Sequence, residues 1–348
     1  QKMSVCPFSS RKANNNFATK LYKAMIFLKD IEREILSWEG NEQPNELYYE
    51  LSDQYMDTFL DWTLASGKGG YFHAYGAEQV VRAYMELHNI TVLTLDIALR
   101  LEGTQEGTTY KNKTVEVLYH AGPLRRAGSL AANDFVRGSF LSPFKQALLY
   151  KNHDIILHYF SLTTTQEQLI VDTYYRDGRL TTSVTTVYSG AGSKMINYIP
   201  DAYKVEVQMG SRKFTVLMAG EDPCEEFAYL NYFNVQEKIF LPCSITRKPS
   251  TEFESATQEL ITMPYDIEHK EEITLKTAAL PALVADQLQQ LCRSRRVTYR
   301  ERRGSVTYPA DIIIKDYDLP RSTQPNSPVT FEMTFEYADT QLPNTLTL

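Results

Sequence analysis

The sequence predicts a mainly β protein with short helices (α+β), built as two or three β-sandwich-like or small α+β modules in series. The chain has 348 residues, enough for more than one hydrophobic core. It contains 23 Tyr and 16 Phe against 2 Trp, and Tyr and Phe favour pleated, half-buried surfaces. Short runs of alternating apolar residues recur between Gly and Asp/Asn turn signals, the pattern of antiparallel sheets.

Residues 1–45 form an N-terminal segment that the pattern leaves open between two structures. Helical spacing is followed by the apolar residues Leu21, Met25, Leu28, Ile31 and Ile35. Gly40 and Pro44 would then end the helix. The run LYKAMIFLK (21–29) fits a strand equally well.

Residues 46–122 predict a small β-rich domain with one helix. FLDWTLA (59–65) and YFHAYGA (71–77) flank the glycine-rich stretch SGKGG, which indicates a hairpin. EQVVRAYMEL (78–87) has one apolar face and predicts the helix. ITVLTLDIALRLEG (90–103) alternates like a strand with one buried face, and KTVEVLYH (113–120) is its antiparallel return.

Residues 123–222 predict a β-sandwich-like domain after a bridging helix and turn in AANDFVRGSFLSPF (131–144). Asp177-Gly178 lies between two β-branched and aromatic segments, which predicts a hairpin with a type I′ turn. YKVEVQM and KFTVLMA predict a second hairpin across Gly210-Ser211. Several short strands at this spacing are typical of a sandwich.

Residues 223–348 predict an α+β C-terminal module. EEITLKT (271–277) indicates a strand, and LPALVADQLQQLC (280–292) a helix with Pro281 in its first turn. The strands RRVTYRER, ADIIIKDYD and VTFEMTFEYAD complete it.

Six arginines are concentrated in this module, although the chain has a net charge of −7: Arg293, Arg295, Arg296, Arg300, Arg302 and Arg303. Two lie at a helix C-terminus, where positive charge is favourable, and the others follow an exposed strand face. We expect solvated side chains first, and second an electrostatic interface with an acidic neighbouring copy. Nucleic-acid binding ranks third, because the rest of the chain is more acidic still.

The sequence predicts no catalytic residue, cofactor site or metal site. SGKGG and SGAGSK lack the remaining residues of a phosphate loop and are interpreted as turns. His153 and His158 are predicted on opposite faces of one strand, so they cannot share a metal. Adjacent carboxylates such as Glu225 and Glu226 should point apart on a solvated charged edge.

The cysteines Cys6, Cys224, Cys243 and Cys292 contain no C-x-x-C pair. Free buried thiols are favoured, and a disulfide between Cys224 and Cys243 stays open. Cys224 lies in GEDPCEEF among four carboxylates. Negative neighbours raise the pKa of a thiol, so we expect a poor nucleophile.

No apolar run approaches the ~20 residues of a membrane span, and charges interrupt the N-terminal apolar stretch, which excludes a signal-peptide core. The location is left open, with a virion or an extracellular surface favoured over the cytoplasm.

Three stretches resemble a known group of proteins: YFHAYGAEQVVRAYM, NDFVRGSFLSPF, and the closing RRVTY, IIIKDYDLP and VTFEMTFEYAD. They are similar to uncharacterised gut Bacteroidetes proteins of phage or prophage tail-like gene clusters. The resemblance extends from about Leu60 to the C-terminus. It implies a tail-associated role and transfers no active-site residue.

These observations together predict a non-enzymatic structural or adhesion subunit that packs against protein subunits or copies of itself. One alternative is a bacterial surface protein that binds glycans, with Tyr71 and Tyr75 as contacts and Trp62 and Phe72 as further candidates. Another is an unrecognised hydrolase, which would require carboxylates that converge in a cleft.

Overall fold

The computed structural model describes residues 25–36, 46–53, 58–68, 71–101, 111–121, 131–162, 166–220, 224–258, 261–303, 306–320 and 327–338. Within these ranges the chain forms mostly β-strands with a few short helices, arranged as sheets in series. The predicted fold class is therefore confirmed.

The first unit is one sheet with two helices. Its strands are β1 (Met25–Phe27), β2 (Leu47–Asp53), β3 (Thr58–Lys68), β4 (Tyr71–His73), β5 (Val92–Leu101) and β6 (Lys111–Leu118); its helices are α1 (Ile31–Leu36) and α2 (Ala77–Leu87). The strand order is β1-β6-β5-β2-β3-β4. The alternation predicted in β5 is confirmed, because Leu93, Leu95 and Ile97 are buried in the core. The β3–β4 hairpin is confirmed as well.

The described part of the N-terminal segment combines the two structures that its sequence left open. β1 pairs in parallel with β6, a 3-10 turn follows at Leu28–Asp30, and α1 comes next. Ile26, Ile31 and Ile35 pack into the core of the first unit. These three residues therefore serve one core from two elements, whereas Met25 belongs to a second apolar cluster.

The second unit is a sandwich preceded by α3 (Ala132–Gly138). Its strands are β7 (Gln146–Tyr150), β8 (Asp154–Ser161), β9 (Glu167–Tyr175), β10 (Leu180–Val187), β11 (Gly190–Asn197), β12 (Ala202–Met209) and β13 (Arg212–Gly220). A five-stranded sheet, β10-β9-β12-β13-β7, packs against the two-stranded sheet β11-β8. Both predicted hairpins, β9–β10 and β12–β13, are confirmed.

Two local predictions in this unit are wrong. Gly178 has φ +83°, but Asp177 is not left-handed, so the turn is not type I′, which needs positive φ at both residues. The Gly178 N–H donates to the Tyr175 carbonyl at 3.1 Å, and one left-handed residue closes the hairpin. The SGAGSK stretch is not a turn either, because Gly190–Asn197 pairs along β8.

The third unit is a seven-stranded sheet with one helix. Its strands are β14 (Glu225–Leu230), β15 (Gln236–Leu241), β16 (Cys243–Gln258), β17 (Ile261–Thr277), β18 (Val297–Arg303), β19 (Val306–Asp318) and β20 (Glu332–Tyr337); α4 is Ala285–Arg293. The order is β15-β14-β18-β19-β20-β17-β16. Leu288 and Leu291 attach α4 to the core. Pro281 is not in the first turn of α4, because it precedes a separate 3-10 turn at Ala282–Val284.

A further apolar cluster, the junction core, joins the three units. It combines Phe27 of β1, Val136 of α3, Phe160 of β8 and Phe233 from the loop between β14 and β15. The units therefore form contacts with one another around a common centre. None of the helices in the described ranges is long and apolar enough to cross a membrane.

Candidate functional site

Three side chains meet where the second and third units join. His153 lies between β7 and β8, Cys224 immediately precedes β14, and Glu226 lies on β14. The Nε2 atom of His153 is 3.3 Å from Cys224 Sγ. Its Nδ1 atom is 3.3 Å from Glu226 Oε2. The imidazole therefore bridges a thiol and a carboxylate.

The turn before β8 fixes the position of His153. Asn152 has a left-handed φ of 65°, which reverses the chain after β7. The His153 N–H donates to the Tyr150 carbonyl at 3.2 Å, and its own carbonyl accepts from the Tyr198 N–H at 3.2 Å. The ring packs on Phe240, with 4.4 Å between centroids. Backbone bonds and ring packing together orient the imidazole.

Glu226 is the anchor of this cluster, and its side chain is only 11% exposed. Its Oε1 atom lies 3.4 Å from Lys238 Nζ and 3.3 Å from Arg300 Nε. Burial raises the pKa of Glu226, but the His153 bond and the charges of Lys238 and Arg300 outweigh it and lower the pKa below its ordinary value. Glu226 is therefore a buried, ionised carboxylate.

The interpretation of Glu225 and Glu226 as a solvated edge is wrong. β14 lies between β15 and β18, in the interior of the sheet. The two carboxylates do point apart, because Glu225 accepts a hydrogen bond from the Tyr299 hydroxyl at 2.8 Å. Each carboxylate thus has its own partners inside the protein.

The surroundings of Cys224 also differ from those its sequence neighbours indicated. Glu225 and Glu226 are bonded to other groups, and the imidazole of His153, from 71 residues earlier, contacts the sulfur. Cys243 and Cys292 are free thiols, and Cys224 and Cys243 do not form a disulfide with each other. Burial raises the pKa of Cys243 and of Cys292 to about 12.

A thiol, an imidazole and a carboxylate in this order have the geometry of an activated nucleophile, in which a base contacts the nucleophile and a third group orients the base. In the part of the chain that the structure describes, no three His, Cys, Asp or Glu side chains are placed to hold a metal ion. The imidazole uses its two nitrogens for two different partners.

The structure pairs three of the predicted arginines within the chain. Arg295 contacts Glu86 of α2 at 3.7 Å and bonds Asn234. Arg296 lies 3.0 Å from Asp311, and Arg300 pairs with Glu226.

The remaining arginines extend from α4 into β18. Arg293 ends α4, and the side chains of Arg302 and Arg303 lie outside the described ones. Val297 and Tyr299 are buried, whereas Arg300 is not, as the alternation predicted. β18 lies between β14 and β19, so Val297–Arg300 are not on a sheet edge.

The predicted glycan contacts lie in the first unit. Tyr75 is 72% exposed, and its ring stacks on His73 with 5.2 Å between centroids. Phe72 packs against the core. The guanidinium of Arg100 lies 4.6 Å from the Trp62 ring. The side chain of Tyr71 is outside the described ones.

A cleft of about 410 Å³ lies where the three units meet. Asn89, His158 and Arg296 line it, one from each unit. Its lining residues include no Asp or Glu. This cleft therefore does not supply the carboxylate pair that a glycoside hydrolase requires.

Comparison with known proteins does not assign a family. The sequence matches no protein-family model, and no curated protein is significantly similar to it.

Proposed function

We propose that this chain is a structural or adhesion subunit of a phage tail or a related extracellular assembly, and that two copies join along the edge strand β10. The observation that carries the proposal is the composition and exposure of this strand. β10 begins the strand order of its sheet and pairs only with β9 among the described strands. Seven of its eight residues are exposed.

The sequence of β10, LTTSVTTV, contains no charged residue, proline or glycine. Edge strands usually carry such residues because an unprotected row of N–H and C=O groups pairs with other chains. The threonines and valines of β10 instead favour the extended conformation. The composition of β10 therefore favours pairing with a strand of another chain.

The inner face of β10 is uncovered as well. Thr181, Ser183 and Thr185 lie opposite Thr173, Val171 and Leu169 of β9, and paired residues share a face. The β9 residues are buried in the sandwich, whereas the three β10 residues are exposed. The five-stranded sheet thus extends past its two-stranded partner sheet and leaves room for a second subunit.

A second copy of this chain fits the edge because the strand is complementary to itself. In an antiparallel pair centred on Ser183, Thr181 of each copy faces Thr185 of the other on the uncovered face, and Ser183 faces the Ser183 of the second copy. Threonine pairs across strands are favourable, at ~0.2–1 kcal/mol each, and no like charges oppose. Such a contact has twofold symmetry and closes on itself.

The third unit adds an extended arm. β16 and β17 pair from Cys243 and Thr277 to Gln258 and Ile261. β20 covers β17 only from Glu272 to Lys276. A two-stranded hairpin is at best marginally stable by itself. The part of this hairpin that no other described strand accompanies therefore suits contact with a neighbouring subunit.

Light scattering after size exclusion tests the proposal with two lysine variants. Ser183→Lys places a charge on the uncovered face of β10, and Gln208→Lys is the control at an exposed position of the interior strand β12. We expect a dimer for the wild type and for Gln208→Lys, and a monomer for Ser183→Lys. A wild-type monomer up to high concentration, or a dimer of Ser183→Lys, would contradict the proposal.

Salt separates this interface from one made by arginines. Strand pairing depends on backbone hydrogen bonds, whereas exposed ion pairs are screened at ~1 M salt, where the Debye length is about 3 Å. The dimer should therefore persist from low to high salt. A dimer that dissociates in salt would favour an interface through the arginines of residues 293–303.

A second candidate function is glycan binding, favoured by the exposed, stacked pair of Tyr75 and His73. Exposed aromatic rings are the usual platform for sugar rings. Binding on a glycan panel that is lost in Tyr75→Ala, and retained in Tyr188→Ala, an equally exposed tyrosine of the second unit, would support it. If the wild-type protein binds no glycan on the panel, glycan binding is excluded as a candidate function.

A further inference from the structure

We propose that Cys224 is a nucleophilic thiol that accepts acyl groups from esters or thioesters, with His153 as its base and Glu226 as the positioning residue that orients the imidazole. The proposal goes beyond the assembly role and is independent of it. It stands on the two contacts of His153, one to Cys224 Sγ at 3.3 Å and one to Glu226 Oε2 at 3.3 Å.

The reaction needs no group beyond the acyl donor. The Cys224 thiol transfers its proton to Nε2 of His153, and the sulfur forms a bond with the carbonyl carbon of the donor. The carbon–oxygen or carbon–sulfur bond of the donor then breaks. The proton on Nε2 passes to the departing alkoxide or thiolate, and an acyl thioester remains on Cys224.

The charges around the imidazole favour this arrangement. On the carboxylate side, the cations Lys238 of β15 and Arg300 of β18 lie within 3.4 Å of Glu226. Lys238 also binds Asp154, next in sequence to His153, at 2.9 Å. The negative charge of Glu226 is thus balanced by neighbours on the side away from the thiol.

On the thiol side, the titratable groups near Cys224 among the described residues are Glu225 and Cys243. The Glu225 carboxylate is bonded to Tyr299. Burial raises the pKa of Cys243 to about 12, so this thiol stays neutral near pH 7. Neither group competes with Cys224 for the imidazole.

Two other thiols of the same chain provide an internal reference for the labelling rate of Cys224. The thiols of Cys243 and Cys292 have pKa values raised to about 12 by burial, and both should react slowly. Any fast labelling of Cys224 can be compared with these two residues in one sample, by mass spectrometry of the peptides.

The first experiment uses the wild-type chain and iodoacetamide. An ordinary thiol of pKa about 8.5 loses about 150-fold in alkylation rate between pH 8.5 and pH 6. A thiol that transfers its proton to an imidazole keeps its reactivity, so Cys224 should lose less than about tenfold over this range. The ordinary 150-fold loss at Cys224 would overturn the proposal, and this test does not depend on a variant that folds.

The second experiment separates the roles of the residues. His153→Gln should restore the steep pH profile of Cys224, Glu226→Gln should lower the rate at pH 6 with a smaller effect at pH 8.5, and the exposed-site control His73→Gln should change neither. Thermal melts establish that each variant is folded. An unchanged profile in a folded His153→Gln would overturn the assignment.

The acyl specificity is tested with p-nitrophenyl acetate. We expect one rapid equivalent of nitrophenolate and one acetyl group on the peptide that carries Cys224, both lost in Cys224→Ser. Fast alkylation without any acetylation would overturn the acyl-acceptor assignment and leave a reactive thiol of another kind.

Discussion

The imidazole of His120 packs against the ring of Phe233, with 5.1 Å between centroids, and this contact joins the first unit to the third. His120 follows β6, and its ring also lies 5.7 Å from that of Phe27 in β1. Burial, together with the positive charges of Lys29 and Arg82, lowers the pKa of His120 to about 4. The neutral imidazole is therefore the form that the junction accommodates.

This shift predicts an acid-sensitive junction. The folded pKa lies below the unfolded value of 6.5, so between these values the unfolded chain binds more protons and stability falls as pH decreases. Between pH 7 and pH 5 the loss from His120 should be about 2 kcal/mol. Urea unfolding of His120→Gln should show a pH dependence smaller by this amount, with the exposed His73→Gln as control. Equal pH dependence in wild type and His120→Gln would contradict the assignment.

Arg212 predicts a large loss of stability when its charge is removed. Its side chain is buried, and Nη1 lies 3.1 Å from Glu167 Oε1 while Nη2 donates to the Phe160 carbonyl at 3.0 Å. Arg212→Met fills a similar volume but removes these donors and leaves the Glu167 carboxylate without its cation, which should cost about 3–5 kcal/mol.

Denaturant unfolding checks the Arg212 prediction, with Lys213→Met at the exposed neighbouring position as the matched control. The control should stay within about 0.5 kcal/mol of wild type. The double variant Arg212→Met/Glu167→Gln should lose less than the sum of its single variants, because the uncompensated carboxylate is gone. If the losses in the free energy of unfolding of the two single variants simply add in the double variant, an interaction between Arg212 and Glu167 is contradicted.

Gly192 in β11 predicts intolerance of a single methyl group. A Cβ at this position would lie 2.4 Å from the Tyr159 ring, whereas a Cβ on Gly138 of α3 would meet nothing within 4 Å. Gly192→Ala should therefore lower the free energy of unfolding by about 1–3 kcal/mol. Gly138→Ala should be neutral or slightly stabilising. Similar unfolding midpoints for the two variants would show that the Tyr159 ring moves aside at little cost.

The elements that depend on local patterns were predictable from sequence. β5 alternates because one face is buried, and Gly210, with φ +58°, closes the β12–β13 hairpin as its turn chemistry indicated. Asp177-Gly178 was sufficient to predict the β9–β10 hairpin but not the type of turn that closes it. Composition permits both a two-residue loop and a longer one with a single left-handed glycine.

The site was not predictable, because its members meet only through the order of the sheets. His153 lies 71 residues before Cys224, and no short spacing signals their contact. The expectation that carboxylates raise the pKa of the Cys224 thiol depends on residues adjacent in sequence, whereas the contact with His153 depends on the fold. Strand order gave Glu226 an interior position beside Arg300, which pairs with it across β14 and β18. A single His near the start of a strand carries no sign of such a role.

The amide exchange of β10 tests the central claim most directly. In an edge strand about half of the amides bond the neighbouring strand and the others face outward. If two copies pair along β10, the outward amides of residues 180–187 should exchange at least about tenfold more slowly at high than at low protein concentration. Exchange of these amides that stays fast at every concentration would contradict pairing through β10.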